Sequence, residues 1–432
     1  GFTRSEARSC RSPHFRSRKQ VGYNVFSALP LRTLRLCGAL GVLLSREAPR
    51  DAEYAEEAQD SESNANEFLW QENFMIRTQL REFIRRMAAN SVAIIPAARE
   101  ATRSNDTHYR FRQDSDFFYL TGFEEPDAIA VIKPNQYTLF VRPRDPEREI
   151  WDGRRAGVEG AKKDFGADES FPIAEFDSKL QELLDGAETL YYRLGVNRDL
   201  DQTIVDEIAH MRALNRKPIH PPQTIIDPGT IVHELRVLKT AEELELMQQS
   251  ADIAAEAHCA AMKAARPGMQ EYELEALIER IFRERGAAGP AYTSIVGAGS
   301  NATVLHYRAN DRQMRDGELL LIDAGCEYGY YASDVTRTFP VNGHFTKEQR
   351  AVYDVVLEAQ LAAIAAVRPG ATLEDVHEAA MRAIAGGLCD LGILTEGVDQ
   401  VITENRYKPY FMHRTSHYLG MDVHDVGADH RD

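Results

Sequence analysis

The feature that most restricts the possible folds of this chain is a weak internal repeat in its second half. The segment AARPGMQEYELEALIERIF (264–282) parallels AVRPGATLEDVHEAAMRAI (366–384), and each copy predicts a helix, an Arg-Pro-Gly turn and an amphipathic helix. The first copy leads into a β-rich run ending TVLHY with His306, and the second into FMHRTSHYLG with His413 and His417. We therefore expect two related α/β halves that bring histidines to a site between them. The alternative is a chance similarity of two Arg-Pro-Gly turns.

Between the two copies, the segment IDAGCEYGYYASDVTRTF (322–339) predicts a β-hairpin that carries two aspartates. Asp323 ends the apolar run ELLLID and Asp334 lies at the start of SDVTRTF, while Gly325 and Gly329 in the link suit a tight turn. A turn centred just before Gly329 would place Asp323 directly opposite Asp334, with Cβ atoms about 4.5–5.5 Å apart.

Two carboxylates at that distance repel each other, and one of them would hold a proton with a raised pKa unless a cation compensates. A divalent cation removes the repulsion, and two cations would let the pair bridge them. Oxygen ligands combined with imidazole suit Mn²⁺, Co²⁺, Zn²⁺ or Fe²⁺. The alternative is a pair that splays into solvent or forms a salt bridge, for instance with Arg337.

Imidazoles follow near the end of the chain, where HRTSHYLGMDVHDVG contains three histidines within twelve residues. His413 and His417 are four positions apart, a spacing that puts both on one face of a strand and also suits a helix. A bend at Gly420 would turn His424 back toward them. A lone histidine is more often a satisfied polar residue than a ligand, but three of them beside the aspartate hairpin favour a site.

The first half of the chain predicts a separate compact α/β domain. A helical pattern runs from Met75 to about Met87, and further helices are expected near 175–185 and 201–214. Strands are expected at SVAIIP, FFYLTGF, AIAVIKP, YTLFVRP and TLYYRLG, separated by Gly, Pro, Asn and Asp.

Helix-start signals mark the boundary between the two domains. A T-x-x-E capping box at Thr240 opens a new helix, and T-x-x-Q at Thr346 gives the same signal between the repeat copies. We therefore expect an α/β (α+β) fold, with an N-terminal domain at 75–238 and a domain of pseudo-twofold α/β repeats at 239–432.

Composition limits the classes of function. The net charge of −16 argues against a nucleic-acid-binding protein, which needs a basic face. No apolar stretch approaches the ~20 residues that a membrane span requires. The cysteines are odd in number and scattered without a Cys-x-x-Cys motif, which indicates a reducing, cytoplasmic compartment (Cys10, Cys37, Cys259, Cys326 and Cys389).

The first 74 residues differ from the rest of the chain. Residues 1–50 carry a net charge of +8 and residues 51–74 a net charge of −8, and the first methionine is Met75. The stretch Leu36–Leu44 faintly resembles a signal sequence, and the Arg/Ser-rich start faintly resembles a transit peptide. We favour a disordered tail or a non-native segment upstream of a start at Met75.

Together these motifs closely resemble one family. LIDAGCEYGYYASDVTRTFPVNG, HYLGMDVHDVG, VHELR and SDFFYLTGFEEPDA look like bacterial aminopeptidase P, the Xaa-Pro aminopeptidases of the creatinase and methionine aminopeptidase "pita-bread" superfamily. DFFYLTGF and EIWDGRR point to aminopeptidase P itself, and the likeness covers about 76–432. The resemblance implies a pseudo-symmetric α/β domain that holds two divalent metal ions, usually Mn²⁺, behind a smaller N-terminal domain.

The resemblance also implies roles for single residues. Asp323 corresponds to a bidentate ligand of one metal, Asp334 to a bridging ligand, and His417 to an imidazole ligand of the other metal. The remaining histidines match residues near the scissile bond that bind substrate or move protons (His306, His413 and His424). Trp151 resembles a residue that reaches a neighbouring subunit's active site, which implies a homo-oligomer, either a dimer or a tetramer.

The implied activity is removal of the N-terminal residue from peptides with proline at the second position, by a hydroxide that two metal ions activate. Because an Xaa-Pro bond has no amide N–H, an enzyme that does not require that donor is chemically reasonable. The alternatives are a prolidase, which cleaves only dipeptides, and a pita-bread binding module without catalysis.

One departure separates the chain from the family pattern. The family site has two further glutamate ligands, in a Glu-Pro-Gly segment and near an Arg-x-Glu-Asp segment, and neither segment occurs in this sequence. We therefore expect a C-terminally truncated fragment that supplies three of five ligands and does not by itself assemble the two-metal centre. In addition, Arg414 follows His413 where glycine is common.

Overall fold

The computed structural model describes residues 78–214 and 216–427, and its contacts divide them into two compact units, 78–236 and 237–427. Both units combine helices with β-sheet, which confirms the expected α/β (α+β) class.

Parts of the predicted organisation lie outside the described residues. The expected disordered or non-native extension at 1–74 is one of them. The domain limits at 75–238 and 239–432 stay predictions, since each range includes residues that are not described. Among the residues that are described, no helix is both long enough and apolar enough to cross a lipid bilayer.

The first unit is built on a six-stranded sheet in the order β6-β5-β4-β1-β7-β8. Strand β1 pairs antiparallel with β4 and parallel with β7, while β2 and β3 form a separate ribbon. The strands are β1 (Ser91–Pro96), β2 (Thr102–Ser104), β3 (Thr107–His108), β4 (Ile129–Lys133), β5 (Gln136–Val141), β6 (Glu169–Pro172), β7 (Thr189–Tyr191) and β8 (Thr224–Ile226). The helices are α1 (78–86), α2 (Ser115–Thr121), α3 (Pro146–Asp152), α4 (Gly157–Lys163), α5 (Phe176–Leu184), α6 (Arg198–Ala213) and α7 (Gly229–Val237).

One predicted strand of this unit is wrong. The run FFYLTGF belongs to helix α2, in which the Asp114 side chain accepts a hydrogen bond from the Phe117 amide and Gly122 ends the helix at a φ of 63°. Every residue of α2 is buried, so the helix has no exposed polar face whose spacing would reveal the helical period. The other four predicted strands and the helices expected near 175–185 and 201–214 are confirmed.

A buried ionic cluster fixes α2 within this unit. Asp116, only 6% exposed, accepts hydrogen bonds from Arg236 at 2.6 Å and from Arg193 at 3.0 Å, and contacts His233 at 3.0 Å. Burial alone would raise the pKa of Asp116, but His233 and Arg236 hold it well below its usual value. Loss of this carboxylate would remove an acceptor from the buried Arg236 guanidinium and from Arg193.

The second unit contains two three-stranded sheets, β10-β11-β14 and β13-β12-β9. Its strands are β9 (Gly289–Pro290), β10 (Ile295–Ala298), β11 (Leu319–Asp323), β12 (Cys326–Tyr328), β13 (Tyr331–Ala332) and β14 (Thr336–Pro340). Its helices are α8 (Ala241–Ala264), α9 (Glu271–Glu284), α10 (Lys347–Ala366), α11 (Leu373–Asp390) and α12 (Val398–Thr403).

The internal repeat is visible in these helices. The link between α8 and α9 is as long as the link between α10 and α11, and the equivalent N-cap residues Gln270 and Thr372 both form capping boxes. The boxes predicted at Thr240 and Thr346 are confirmed as the starts of α8 and α10. The first helix pair packs on β10 and β11, and the second pair forms a core of its own.

Candidate metal centre

The aspartate hairpin forms, but its register differs from the prediction by two residues. Asp323 pairs with Thr336 instead of Asp334, because the turn lies one position later, at Gly329 and Tyr330, with φ values of 53° and 67°. A tyrosine at positive φ is rare, so the sequence gives no signal for that position. Asp334 itself lies just before β14, and both carboxylates still point to one side, because they contact the same hydroxyl group.

Gly325 is not a turn residue, contrary to the prediction. It lies where the two strands of the hairpin pass close together, and a Cβ atom at this position would be 1.7 Å from the carbonyl oxygen of Ser333. The absence of a side chain at Gly325 therefore allows the strand that carries Asp334 to approach Asp323.

Tyr292 joins the two carboxylates. Its hydroxyl oxygen lies 2.5 Å from Asp323 Oδ1 and 3.0 Å from Asp334 Oδ1. One hydroxyl group carries one hydrogen, so it donates to one carboxylate, and the second contact needs a proton on the other carboxyl group. Burial and the charge of Asp334 raise the pKa of Asp323 to about 6, which makes Asp323 the group that takes up this proton.

His417 completes the cluster from the opposite side. Its Nε2 lies 3.1 Å from Asp334 Oδ2, and its Nδ1 donates a hydrogen bond to the Tyr418 carbonyl at 2.8 Å. Burial opposes a charge on this ring, but the hydrogen bond to Asp334 and the nearby carboxylates raise the pKa of His417 overall. A carbonyl that fixes Nδ1 and leaves Nε2 directed at the site is typical of a metal-ligating histidine.

The segment that carries the three histidines is irregular, so neither the strand nor the helix considered for His413 and His417 forms. Contacts within the second unit hold it in place instead. The Lys239 ammonium pairs with Asp425 at 2.8 Å, with both side chains almost fully buried, and the Ala332 amide donates to the Gly420 carbonyl at 2.8 Å. The predicted bend at Gly420 is present.

His424 lies next to His417, with ring centroids 4.3 Å apart. Burial and the neighbouring His417 lower the pKa of His424, and His306 contributes in the same direction. His306 itself is exposed in a turn that follows a short 3₁₀ helix, Gly299–Thr303, so the β-rich run expected to end at TVLHY stops earlier, with β10.

His413 and Trp151 make other contacts. The His413 ring packs edge-on against Phe411, with centroids 5.5 Å apart, and its Nδ1 donates to the Arg414 carbonyl. Trp151 lies in α3 of the first unit and is 84% exposed, beside Ile150, which is 81% exposed. The structure therefore gathers Asp323, Asp334, His417 and His424, whereas these two residues lie in other surroundings.

The donor set suits a divalent cation. The two carboxylates supply oxygen ligands, and His417 Nε2, next to Asp334, supplies a nitrogen ligand; Mn²⁺, Co²⁺ and Zn²⁺ accept this combination. The raised pKa of Asp323 reflects the repulsion that a cation would relieve. Within 78–214 and 216–427, no three His, Cys, Asp or Glu side chains are arranged closely enough to hold an ion together. The metal assignment therefore rests on the contact between His417 and Asp334 and on the Tyr292 hydroxyl that contacts both aspartates.

Two further residues around this cluster had no sequence signal. Tyr292 contacts both aspartates, and His258 on α8 is 2% exposed and lies 3.0 Å from the Ala324 carbonyl oxygen through Nε2. Each contact joins residues more than thirty positions apart, which no local pattern reveals.

Comparison with known proteins agrees with this arrangement. Residues 245–431 match the family described as "Metallopeptidase family M24", and residues 76–191 match "Aminopeptidase P, N-terminal domain". The chain is 44% identical over 350 residues to the Xaa-Pro aminopeptidase of Escherichia coli (strain K12), which covers 80% of this chain and 79% of that protein. It is 42% identical over 346 residues to the Xaa-Pro aminopeptidase of Haemophilus influenzae, with 79% and 78% covered.

Solved structures give the same result. Pseudomonas aeruginosa aminopeptidase PepP is similar with a TM-score of 0.81 at 47% identity, over 82% of this chain and 81% of that one. Zn-substituted E. coli aminopeptidase P in complex with product is similar with a TM-score of 0.81 at 43% identity, over 82% of each chain.

Proposed function

The chain belongs to the aminopeptidase P group of metallopeptidase family M24, and on this premise we propose that it removes the N-terminal residue from peptides with proline at the second position. The observation that carries this proposal is the convergence of Asp323, Asp334 and His417 on one face of the second unit. The prolidase and binding-module alternatives are not favoured, since the relatives are Xaa-Pro aminopeptidases and the expected ligands are present.

We propose two divalent ions, Mn²⁺ by preference, as the cofactors. Asp323, Asp334 and His417 would hold them. Bound ions supply Lewis-acid polarisation of the scissile carbonyl and acidify water. Tyr292 aligns the two carboxylates, and its own pKa is raised well above the usual value by burial and by both aspartates, so it remains a hydrogen-bond donor.

The remaining histidines would act on the substrate. Because its pKa is lowered, His424 is largely neutral near pH 7 and is able to take up or release one proton beside His417. We propose that His306 and His413 bind the peptide or stabilise charge on the carbonyl oxygen, a contact worth on the order of 3 kcal/mol.

Assembly and location are also proposals. The exposed Trp151 and Ile150 on α3 support a homo-oligomer, a dimer or a tetramer, in which Trp151 reaches a partner's site. Cys326 and Cys389 form no disulfide, which supports a cytoplasmic location. Light scattering on the full chain and on Trp151→Ala measures the first of these, and an unchanged mass would contradict a role for Trp151 in assembly.

The function is tested by metal titration and peptide cleavage on the full chain. We expect Mn²⁺ to bind, and whatever cleavage this chain supports with three of the five expected ligands to be faster for an Xaa-Pro tripeptide than for an Xaa-Pro dipeptide or an Xaa-Ala tripeptide. Asp334→Asn should abolish both binding and cleavage, whereas Asp390→Asn at the end of α11 should change neither. Preference for the dipeptide would favour a prolidase, and Mn²⁺ binding unaffected by Asp334→Asn would overturn the ligand assignment. Rapid cleavage would also contradict the expectation that two further glutamates are required.

A further inference from the structure

A completely buried carboxylate lies outside the predicted metal ligands. Glu271, the first residue of α9, is 0% exposed and accepts hydrogen bonds from four donor groups. Its Oε1 accepts from the Ala298 amide at 2.7 Å and from Asn301 Nδ2 at 3.2 Å. Its Oε2 accepts from the Tyr307 hydroxyl at 2.7 Å and from the Arg312 amide at 3.0 Å.

All four donors belong to one segment, 298–312, which we call the His306 loop. Ala298 and Arg312 are its two ends, and they also contact each other, because the Arg312 guanidinium donates to the Ala298 carbonyl at 2.9 Å. Asn301 and Tyr307 come from its interior, on either side of His306. The Glu271 carboxylate therefore joins both ends of the loop to its interior, as in a compact Ω-loop, and the buried Asn310 side chain adds a second link at the neck, to Ser294 and Val296.

The outer part of the loop is held from within the loop, by hydrogen bonds from the Thr303 hydroxyl to the Ser300 carbonyl and from the Val304 amide to the Asn301 carbonyl. Residues 303–306 are exposed, so the location of the His306 ring depends on how the neck is held. We propose that Glu271 is a positioning residue, which fixes the His306 loop so that the imidazole is presented to the substrate. This inference rests on the proposed function, in which His306 acts on the peptide.

The two backbone donors make the requirement for a carboxylate specific. They bind different oxygens, Ala298 to Oε1 and Arg312 to Oε2. In Glu271→Gln, whichever way the amide is turned, one backbone N–H faces an NH₂ group and loses its acceptor. In Glu271→Asp both acceptors remain, on a side chain one methylene shorter.

Hydrogen exchange on the full chain tests the neck directly. We expect Glu271→Gln to speed exchange of the Ala298 and Arg312 amides at least tenfold while α11 keeps its protection. Glu284→Gln is the matched control, because it removes an exposed partner of Arg280 from the same helix and should change neither. If Glu271→Gln also unfolds α11, the comparison passes to Glu271→Asp, which must speed exchange in the His306 loop alone. Exchange at the wild-type rate in the folded variant would overturn the proposal.

A second readout separates positioning from a merely structural role. The His306 ring resonance, assigned with His306→Ala, should shift in Glu271→Gln, return part of the way in Glu271→Asp and stay unchanged in Glu284→Gln. With Mn²⁺ and peptide, Glu271→Gln should lower kcat/KM at least tenfold, and this loss should vanish when His306 is already alanine. A loss that persists without His306 would refute positioning through that residue. An unimpaired His306→Ala would instead refute the proposed role of His306, while the exchange result stands.

Discussion

The buried histidine behind the metal cluster gives a quantitative prediction. His258 is 2% exposed, and its Nε2 must carry the hydrogen because its partner, the carbonyl of Ala324, is only an acceptor. Burial lowers the pKa of His258 from 6.5 to about 4. The folded chain therefore keeps this ring neutral at pH values where the unfolded chain already binds a proton.

The sign and size of the effect follow from proton linkage. Above pH 6.5 His258 is neutral in both states, so it does not change the free energy of unfolding. Below pH 6.5 only the unfolded state binds a proton, and the free energy of unfolding therefore falls until about pH 4, where the folded state is protonated as well. Between about pH 7.5 and about pH 5, His258 alone should remove about 2 kcal/mol from the free energy of unfolding.

The assay compares wild type with His258→Gln, whose amide nitrogen replaces Nε2 as the donor but does not titrate. Hydrogen exchange of the α8 amides, corrected for intrinsic pH effects, gives the free energy of opening at both pH values. The free energy for His258→Gln should fall by about 2 kcal/mol less than that of wild type. His344→Gln, an exposed histidine of the same unit, should retain the wild-type pH dependence. Parallel pH profiles for wild type and His258→Gln would refute the reasoning.

Three further perturbations have expected outcomes. Tyr292→Phe should lower stability by about 1–3 kcal/mol in EDTA and by less with Mn²⁺, since a cation also offsets the paired carboxylates; equal losses in the two thermal melts would contradict this. In urea unfolding at neutral pH, Asp116→Asn should lower the free energy of unfolding by about 3–5 kcal/mol. Asp199→Asn, which removes the exposed partner of Arg99, should lower it by under about 1 kcal/mol. Because the pKa of Asp116 is lowered in the folded state, the carboxylate stabilises the fold above pH 3.8, and this stabilisation is lost as the pH falls further. The difference in free energy of unfolding between wild type and Asp116→Asn should therefore narrow in acid, and a constant difference would argue against the ionic cluster. Gly325→Ala should lower the free energy of unfolding by more than about 4 kcal/mol, because the new Cβ would lie 1.7 Å from the Ser333 carbonyl oxygen. Gly386→Ala, in α11 with open space around it, should raise the free energy of unfolding by up to about 1 kcal/mol. Similar thermal melts for the two variants would show that the hairpin relaxes freely.

Elements whose signals are local follow from the sequence alone. A capping box needs only residues three apart, so the starts of α8 and α10 are correct, and the Arg-Pro-Gly repeat correctly gives two matching helix pairs. Asp323 and Asp334 were correctly expected on one side, although the predicted register was shifted by two residues and Asp334 lies just before β14.

Features that depend on contacts between distant segments could not be predicted from the sequence. The turn lies at Gly329 and Tyr330, both of which have positive φ values. Because tyrosine rarely adopts a positive φ, the sequence does not predict a turn residue at position 330. Burial on all sides hid the helical period of α2. The hydroxyl of Tyr292 and the carboxylate of Glu271 act on groups brought near only by folding, because a buried polar group takes its partners from whatever chain packs around it.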